Sequence, residues 1–325
     1  MLHSCRIVLR SMLVLAVAAG CITATTASSS ADSPRNGPIA FGRWNPSIGD
    51  FNLWTARSDG SHQRQLTSMP SNFSDWMPDG SGLAFDYFDD IGEHVATIRP
   101  DGTGFRQLTF GVGIQEVPRY APDGRHIVFD ASALSPDDPT FTTDIWVMNA
   151  DGSHPRQVTQ GGFDVEPAYS PDGRYIVFGR IFGPTSPTDI YQQEAVYVVR
   201  TDGTGLREVV PPTAELEHPR WSPDGRLLTF NIAPEAEDVP NNGTVFSVHP
   251  DGQELRVLRA ATAKWSFTKA VWSPDGKRMI VTCHSITDIL DDLCMMAPDD
   301  GRFTVVVRGT HEQPVNLPSW GPARR

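Results

Sequence analysis

Short apolar runs recur along the chain, each bounded by Pro, Asp and Gly. The segment 167–210 shows one full unit: an aromatic at Tyr169, the turn SPDG (170–173), the run YIVF (175–178), a variable loop, AVYVV (195–199), an Asp-Gly turn (202–203) and LREVV (206–210). Runs of this length, rich in β-branched and aromatic residues, are strands. Proline presets the backbone at the second turn position, and glycine reaches positive φ without steric cost. Two tight turns and one longer loop therefore predict a four-stranded antiparallel unit, with strands A to D in chain order.

The unit repeats. RWSPDGR (220–226) has counterparts in DWMPDGS (75–81), RYAPDGR (119–125), AYSPDGR (168–174) and VWSPDGK (271–277), with a shortened SWGP (319–322) at the end. A period near fifty residues signals a repeat architecture. Strand A aromatics stand at Trp76, Tyr120, Tyr169, Trp221, Trp272 and Trp320. Strand D appears as RQLT (64–67), RQLT (106–109), RQVT (156–159), REVV (207–210), RVLR (256–259) and TVVV (304–307). Both sets have six members, but they are out of phase. The chain opens with IAF (39–41), a strand B lacking its A, and closes with PSW (318–320), a strand A lacking its B. Joining these ends completes a sheet and removes two exposed edges. The predicted fold is all-β, a six-bladed β-propeller over 37–322, its ring closed by the C-terminal strand. A parallel solenoid would need terminal caps, and the chain offers none.

The order PxWSPDG, apolar strand, aliphatic/aromatic strand ending in DG, then RQLT resembles the repeat of TolB-like six-bladed propellers, and it runs through all six units. The resemblance implies a propeller without the α/β domain that precedes it in TolB. The same repeat also accompanies hydrolase domains in propeller peptidases, so it says more about scaffold than about activity.

Residues 1–31 read as an export segment: Arg6 and Arg10, the apolar core MLVLAVAA (12–19), then a Ser/Thr/Ala-rich stretch, with a tether at 32–36. The apolar core is too short to span a bilayer. AAGC (18–21) makes Cys21 a lipidation candidate, and cleavage near Ala24, Ala27 or Ala31 with free secretion is the alternative. Periplasmic, cell-surface or secreted placement follows in either case. Beyond the leader, Cys283 and Cys294 flank a ten-residue connection and form a disulfide candidate, with two buried thiols as the other reading. The 325-residue chain carries a formal charge of −12 with no Lys/Arg cluster, which argues against a nucleic-acid partner.

No nucleophile elbow, HExxH pair, Walker loop or dinucleotide fingerprint occurs, so no catalytic residue and no cofactor is assigned. Metal binding is left undetermined. One Asp per SPDG turn, spread round a ring, reads as a turn device. The unlike residues just before each strand A meet the mouth of the central channel: Asn72, Glu116, Glu217 and Asn316 four places before the aromatic, Glu166, His218 and Lys269 three places before it. They form the candidate ligand rim, weighed against a merely hydrated pore. Long loops at 132–144, 182–194 and 233–243 and acidic stretches at 89–93 and 288–292 offer a second face. The expected function is a monomeric binding or scaffold propeller for a protein or peptide. The alternatives are a glycan-binding lectin, or an enzyme acting on a glycan through Glu116, Glu166, Glu217 and His218.

Overall fold

The computed structural model describes residues 35–132, 141–183, 193–214, 216–232, 243–298 and 302–324. Six four-stranded antiparallel sheets follow one another around a ring. Blade 1 joins the last strand, Val315–Pro322, to Asn36–Asn45, Asp50–Ala56 and Arg64–Gln65. Its register pairs Ile39 with Trp320 and Ala40 with Ser319, so the two chain ends complete the sheet left open by the out-of-phase repeat. The inner strands of blades 2 to 6 are Ser71–Trp76, Ile114–Tyr120, Asp164–Tyr169, Leu216–Trp221 and Trp265–Trp272. The N-terminal segment with Cys21 lies outside the described residues, as do most of the three long loops.

The core lies between sheets, not within them. Ile39, Phe41 and Ala56 of blade 1 pack on Ile280, Leu293 and Val307 of blade 6, and Trp320 joins them. An equivalent cluster fills the space between blades 4 and 5, from Val177, Val196 and Val198 to Leu228, Phe230 and Phe246. Alternation along each strand makes this possible, since one face of every sheet meets the next blade. At the outer rim Arg106 Nη2 donates to Asp151 O at 2.9 Å and Arg156 Nη2 to Thr201 O at 2.5 Å, each reaching into the following blade. Glycine in the C-to-D turn permits the blades to close up. Gly60 has φ 81°, and a Cβ there would stand 1.7 Å from Val306 O of blade 6.

The Asp of each SPDG-like turn folds back on its own turn. Oδ1 of Asp79, Asp123, Asp172, Asp224 and Asp275 accepts the N–H two residues on, at 2.8–3.1 Å. Cys283 and Cys294 sit on adjacent strands of blade 6, where Val281 pairs with Cys294 and Cys283 with Asp292. Both are fully buried and bonded to each other, with Cα atoms 5.9 Å apart.

Candidate functional site

Each inner strand carries an irregularity three to four residues before its aromatic. The register shifts between Ser71 and Ser74, Glu116 and Arg119, Val165 and Ala168, Glu217 and Arg220, and Thr268 and Val271. At the bulge, Val117, Glu166, His218, Lys269 and Leu317 all have φ between 48° and 56°. Non-glycine residues rarely adopt this region, and such strain concentrates at functional sites. The bulges bring His218, Lys269 and Leu317, with Phe73, around one narrow space at the channel mouth.

The bulge N–H groups are bonded from blade to blade in one direction. Val117 N–H donates to Asp86 Oδ2 (3.4 Å), Glu166 N–H to Asp130 Oδ1 (3.3 Å), His218 N–H to Glu166 Oε2 (2.5 Å) and Lys269 N–H to Asn231 Oδ1 (2.9 Å). Asp86, Asp130 and Asn231 are the fourth residues of their B strands (LAFD, IVFD, LTFN) and are fully buried. Blade 4 has Gly179 at that place, and Glu166 supplies the acceptor for the next blade instead. Glu194 occupies the space above Gly179 that a Cβ would fill.

Among the seven rim residues predicted from sequence, the structure joins some and separates others. Glu166 Oε1 lies 2.9 Å from His218 Nδ1, a close contact between neighbouring blades. Burial alone would raise the Glu166 carboxyl, but His218 and Arg220 outweigh it and bring it down to about 2. Glu217 faces away from that pair and accepts from Asn231 Nδ2 at 3.0 Å. Glu116 lies within proton-sharing reach of Glu93, and burial with repulsion from Asp130 and Glu93 pushes it well up. Asn72 and Asn316 converge over Gly42, their Oδ1 atoms 3.2 and 2.7 Å from where a Cβ would stand. Lys269 lines the same narrow space as His218.

Sequence reasoning missed two sets of residues. The first is the buried B-strand acids. Burial drives Asp130 well above the ordinary carboxylate range and Asp86 up to about 8. An Asp closing an otherwise apolar strand was the available signal. The second is the first letter of the repeated motif: Asp75, Arg119, Ala168, Arg220, Val271 and Ser319, which make a second layer below the mouth. Arg119 and Arg220 border the same two spaces in the channel, and burial together with Arg119 lowers Arg220 to about 9. Above the arginines the free space is only about 10 Å³, walled by Phe73, His218, Lys269 and Leu317; below them is a chamber of about 170 Å³. A larger cleft of about 630 Å³ lies between blades 4 and 5, lined by turn residues including Asp172, Asp224 and Trp221. Among the described residues no group of three or more His, Cys, Asp or Glu is placed to hold a metal ion, and no helix is long and apolar enough to cross a membrane.

No family model matches the chain. An uncharacterized protein of Agrobacterium fabrum is 27% identical over 192 residues, covering 56% of this chain and 62% of the relative. The chain thus matches less than two thirds of that protein's length. TolB from Acinetobacter baumannii superposes with a TM-score of 0.70 at 20% identity, over 88% of this chain and 67% of TolB. Hydrazine synthase of Kuenenia stuttgartiensis gives 0.71 at 15% identity, over 89% and 47%. Likeness at this level of identity concerns shape, and two such different proteins share it. In fold, the chain is a TolB-like six-bladed propeller.

Proposed function

We propose that the protein is an exported binding propeller that takes a positively charged segment of a protein or peptide partner at the acidic mouth of its channel. The observation that carries this reading is the gathering of Asp86, Glu93, Glu116, Asp130 and Glu217 around one end of the ring. Burial raises all five from their ordinary values, Asp86 to about 8. A lysine or arginine side chain placed beside such groups would draw them back down, so cation binding and proton release are coupled. The leader-like sequence of residues 1–31 and the bridged Cys283–Cys294 pair support export to an oxidising compartment, with lipidation at Cys21 as one mode of retention.

The Glu166–His218 pair is the one feature that favours a catalytic reading, because a carboxylate orienting an imidazole is a familiar acid–base arrangement. The space beside it, about 10 Å³, admits no more than a single water. A glycan ring does not fit beside the pair, which argues against turnover there.

The test is titration of the full chain with short lysine- and arginine-rich peptides, measured calorimetrically in buffers of different ionisation enthalpy. Binding should release protons and weaken in Glu116→Gln and Glu217→Gln. Absence of binding, or equal affinity for a glutamate-rich control peptide, overturns the reading.

A further inference from the structure

The chamber below the mouth has different chemistry. It is walled by Tyr120, Tyr169 and Trp221, the aromatics that precede the turns, and by Ser74 and Ser319. Arg119 and Arg220 form its roof. Arg119 is 9% exposed, and neither arginine has a carboxylate within ion-pair distance among the described residues. Each uses only Nη1 for hydrogen bonds, and only to backbone carbonyls: Arg119 to Ser74 O (3.1 Å) and Pro118 O (3.0 Å), Arg220 to Pro219 O (2.9 Å). A guanidinium has five N–H donors in a planar fork suited to oxyanions. Among the described residues, Nε and Nη2 of both side chains have no hydrogen-bond partner.

Two buried like charges facing one space repel each other, and an anion between them relieves that repulsion. We propose that the chamber is a binding site for a small oxyanion (a phosphate, sulfate or carboxylate group) held between the Arg119 and Arg220 guanidiniums. A third donor stands ready. Ser74 Oγ and Ser319 Oγ lie 3.0 Å apart, so one hydroxyl hydrogen serves their mutual bond and the other is free to point at the ligand. The volume, about 170 Å³, equals several waters at about 30 Å³ each, enough for a tetrahedral anion with part of its hydration. The aromatic walls suit a ligand whose anionic group sits on an apolar or ring-shaped body.

The opposing charge is Asp75. It borders the same chamber, and its Oδ2 accepts from Tyr120 N–H at 2.8 Å. Burial raises the Asp75 carboxyl, while Arg119 and Arg220 hold it down. Towards the mouth, Glu166 and Asp130 also bear on Arg220, but Glu166 is committed to His218. Asp75 is thus the group that competes with a bound anion, and neutralising it strengthens the site. Asn at this position keeps the oxygen that accepts from Tyr120.

Thermal melts and calorimetry of the full-length protein with phosphate, sulfate and acetate, each against chloride at matched ionic strength, provide the test. The expected result is a saturable rise in melting temperature of several degrees with at least one of the three. It should be at least about tenfold more sensitive to concentration in Asp75→Asn and lost in Arg220→Met. The phosphate and sulfate arms against the acetate arm separate tetrahedral anions from carboxylates as the natural ligand group. The inference is overturned if none of the three gives a saturable rise in the unmodified protein. It is equally overturned if Asp75→Asn leaves the response unchanged or weaker, and this outcome is readable even if Arg220→Met does not fold.

Discussion

Consider Asp130→Asn. In blade 5 the equivalent residue is already Asn231, whose Oδ1 accepts the Lys269 N–H and whose Nδ2 donates to Glu217. Asp130 pairs in register with Glu116, as Asn231 does with Glu217, but two carboxyls now face each other. Asp130 Oδ1 accepts the Glu166 N–H, while Oδ2 is buried with no hydrogen-bond partner. An asparagine keeps the first bond and turns the second atom into a donor aimed at Glu116. Satisfying a buried polar atom is worth about 1–3 kcal/mol, so a gain of about 2 kcal/mol at pH 8 is expected. In a unit spanning Ser33–Arg325, with about 2.1 cal/mol/K of unfolding entropy per residue, that corresponds to a rise of roughly 3 °C in melting temperature. Burial and repulsion from Glu166 raise Asp130 in the folded state. The stability linked to its proton is therefore fully present below about pH 4 and is lost as pH rises through the raised value. The substitution should accordingly help at pH 8 and do little at pH 4. Calorimetric melts at pH 4, 6 and 8 provide the assay. A destabilised variant at pH 8, or an equal shift at pH 4 and pH 8, refutes the argument.

Three further outcomes follow from the same geometry. Deleting 314–325 removes the buried side chains of Val315, Leu317 and Trp320, about 5–9 kcal/mol of burial and comparable to a whole domain's stability. Trimming 22–34 should leave the melt unchanged, and equal melting temperatures for the two truncations would refute ring closure. Reducing Cys283–Cys294, which closes a separation of 11 residues, should cost about 2–3 kcal/mol; an identical denaturant midpoint with and without reductant contradicts this. Glu166→Gln should cost about 3 kcal/mol at pH 7, from a carboxyl brought from 4.5 to about 2 at about 1.4 kcal/mol per unit. Because its folded value is depressed, that stability is present above about pH 4.5 and fades as pH falls through about 2. Urea titrations at pH 7 and pH 3 should show the gap narrowing, and a constant gap would refute the pairing.

The scaffold was legible because turns and strand order are written locally. SPDG needs nothing beyond its own residues to close a turn, and the phase offset between IAF and PSW already implied a shared blade. The mouth layer was legible as a set of positions, since Asn72, Glu116, Glu217 and their neighbours differ where everything around them repeats. Their pairing was not. Adjacent residues on a regular strand point to opposite sides, and nothing in the spacing says that a left-handed bulge gives His218 to Glu166 of the preceding blade. The two arginines were hidden by the repeat itself. RWSPDGR and RYAPDGR read as copies of one turn device, while the first letter of each belongs to the channel and varies independently of the rest.

The relay of bulge N–H groups has a beginning and an end. It runs from Asp86 of blade 2 through blades 3, 4 and 5 to Lys269 of blade 6. No corresponding bond enters Leu317 of blade 1 or Phe73 of blade 2 among the described residues. At its mouth the ring is mechanically a five-blade arc, with blade 1 as the clasp. The clasp is also where the chain ends meet, with Ala323 N–H on Arg35 O at 2.7 Å. That joint is closed by other means: pairing of the two chain ends, Ser74 Oγ to Ser319 Oγ at 3.0 Å towards blade 2, and Asp275 N–H to Asn36 Oδ1 at 3.2 Å towards blade 6.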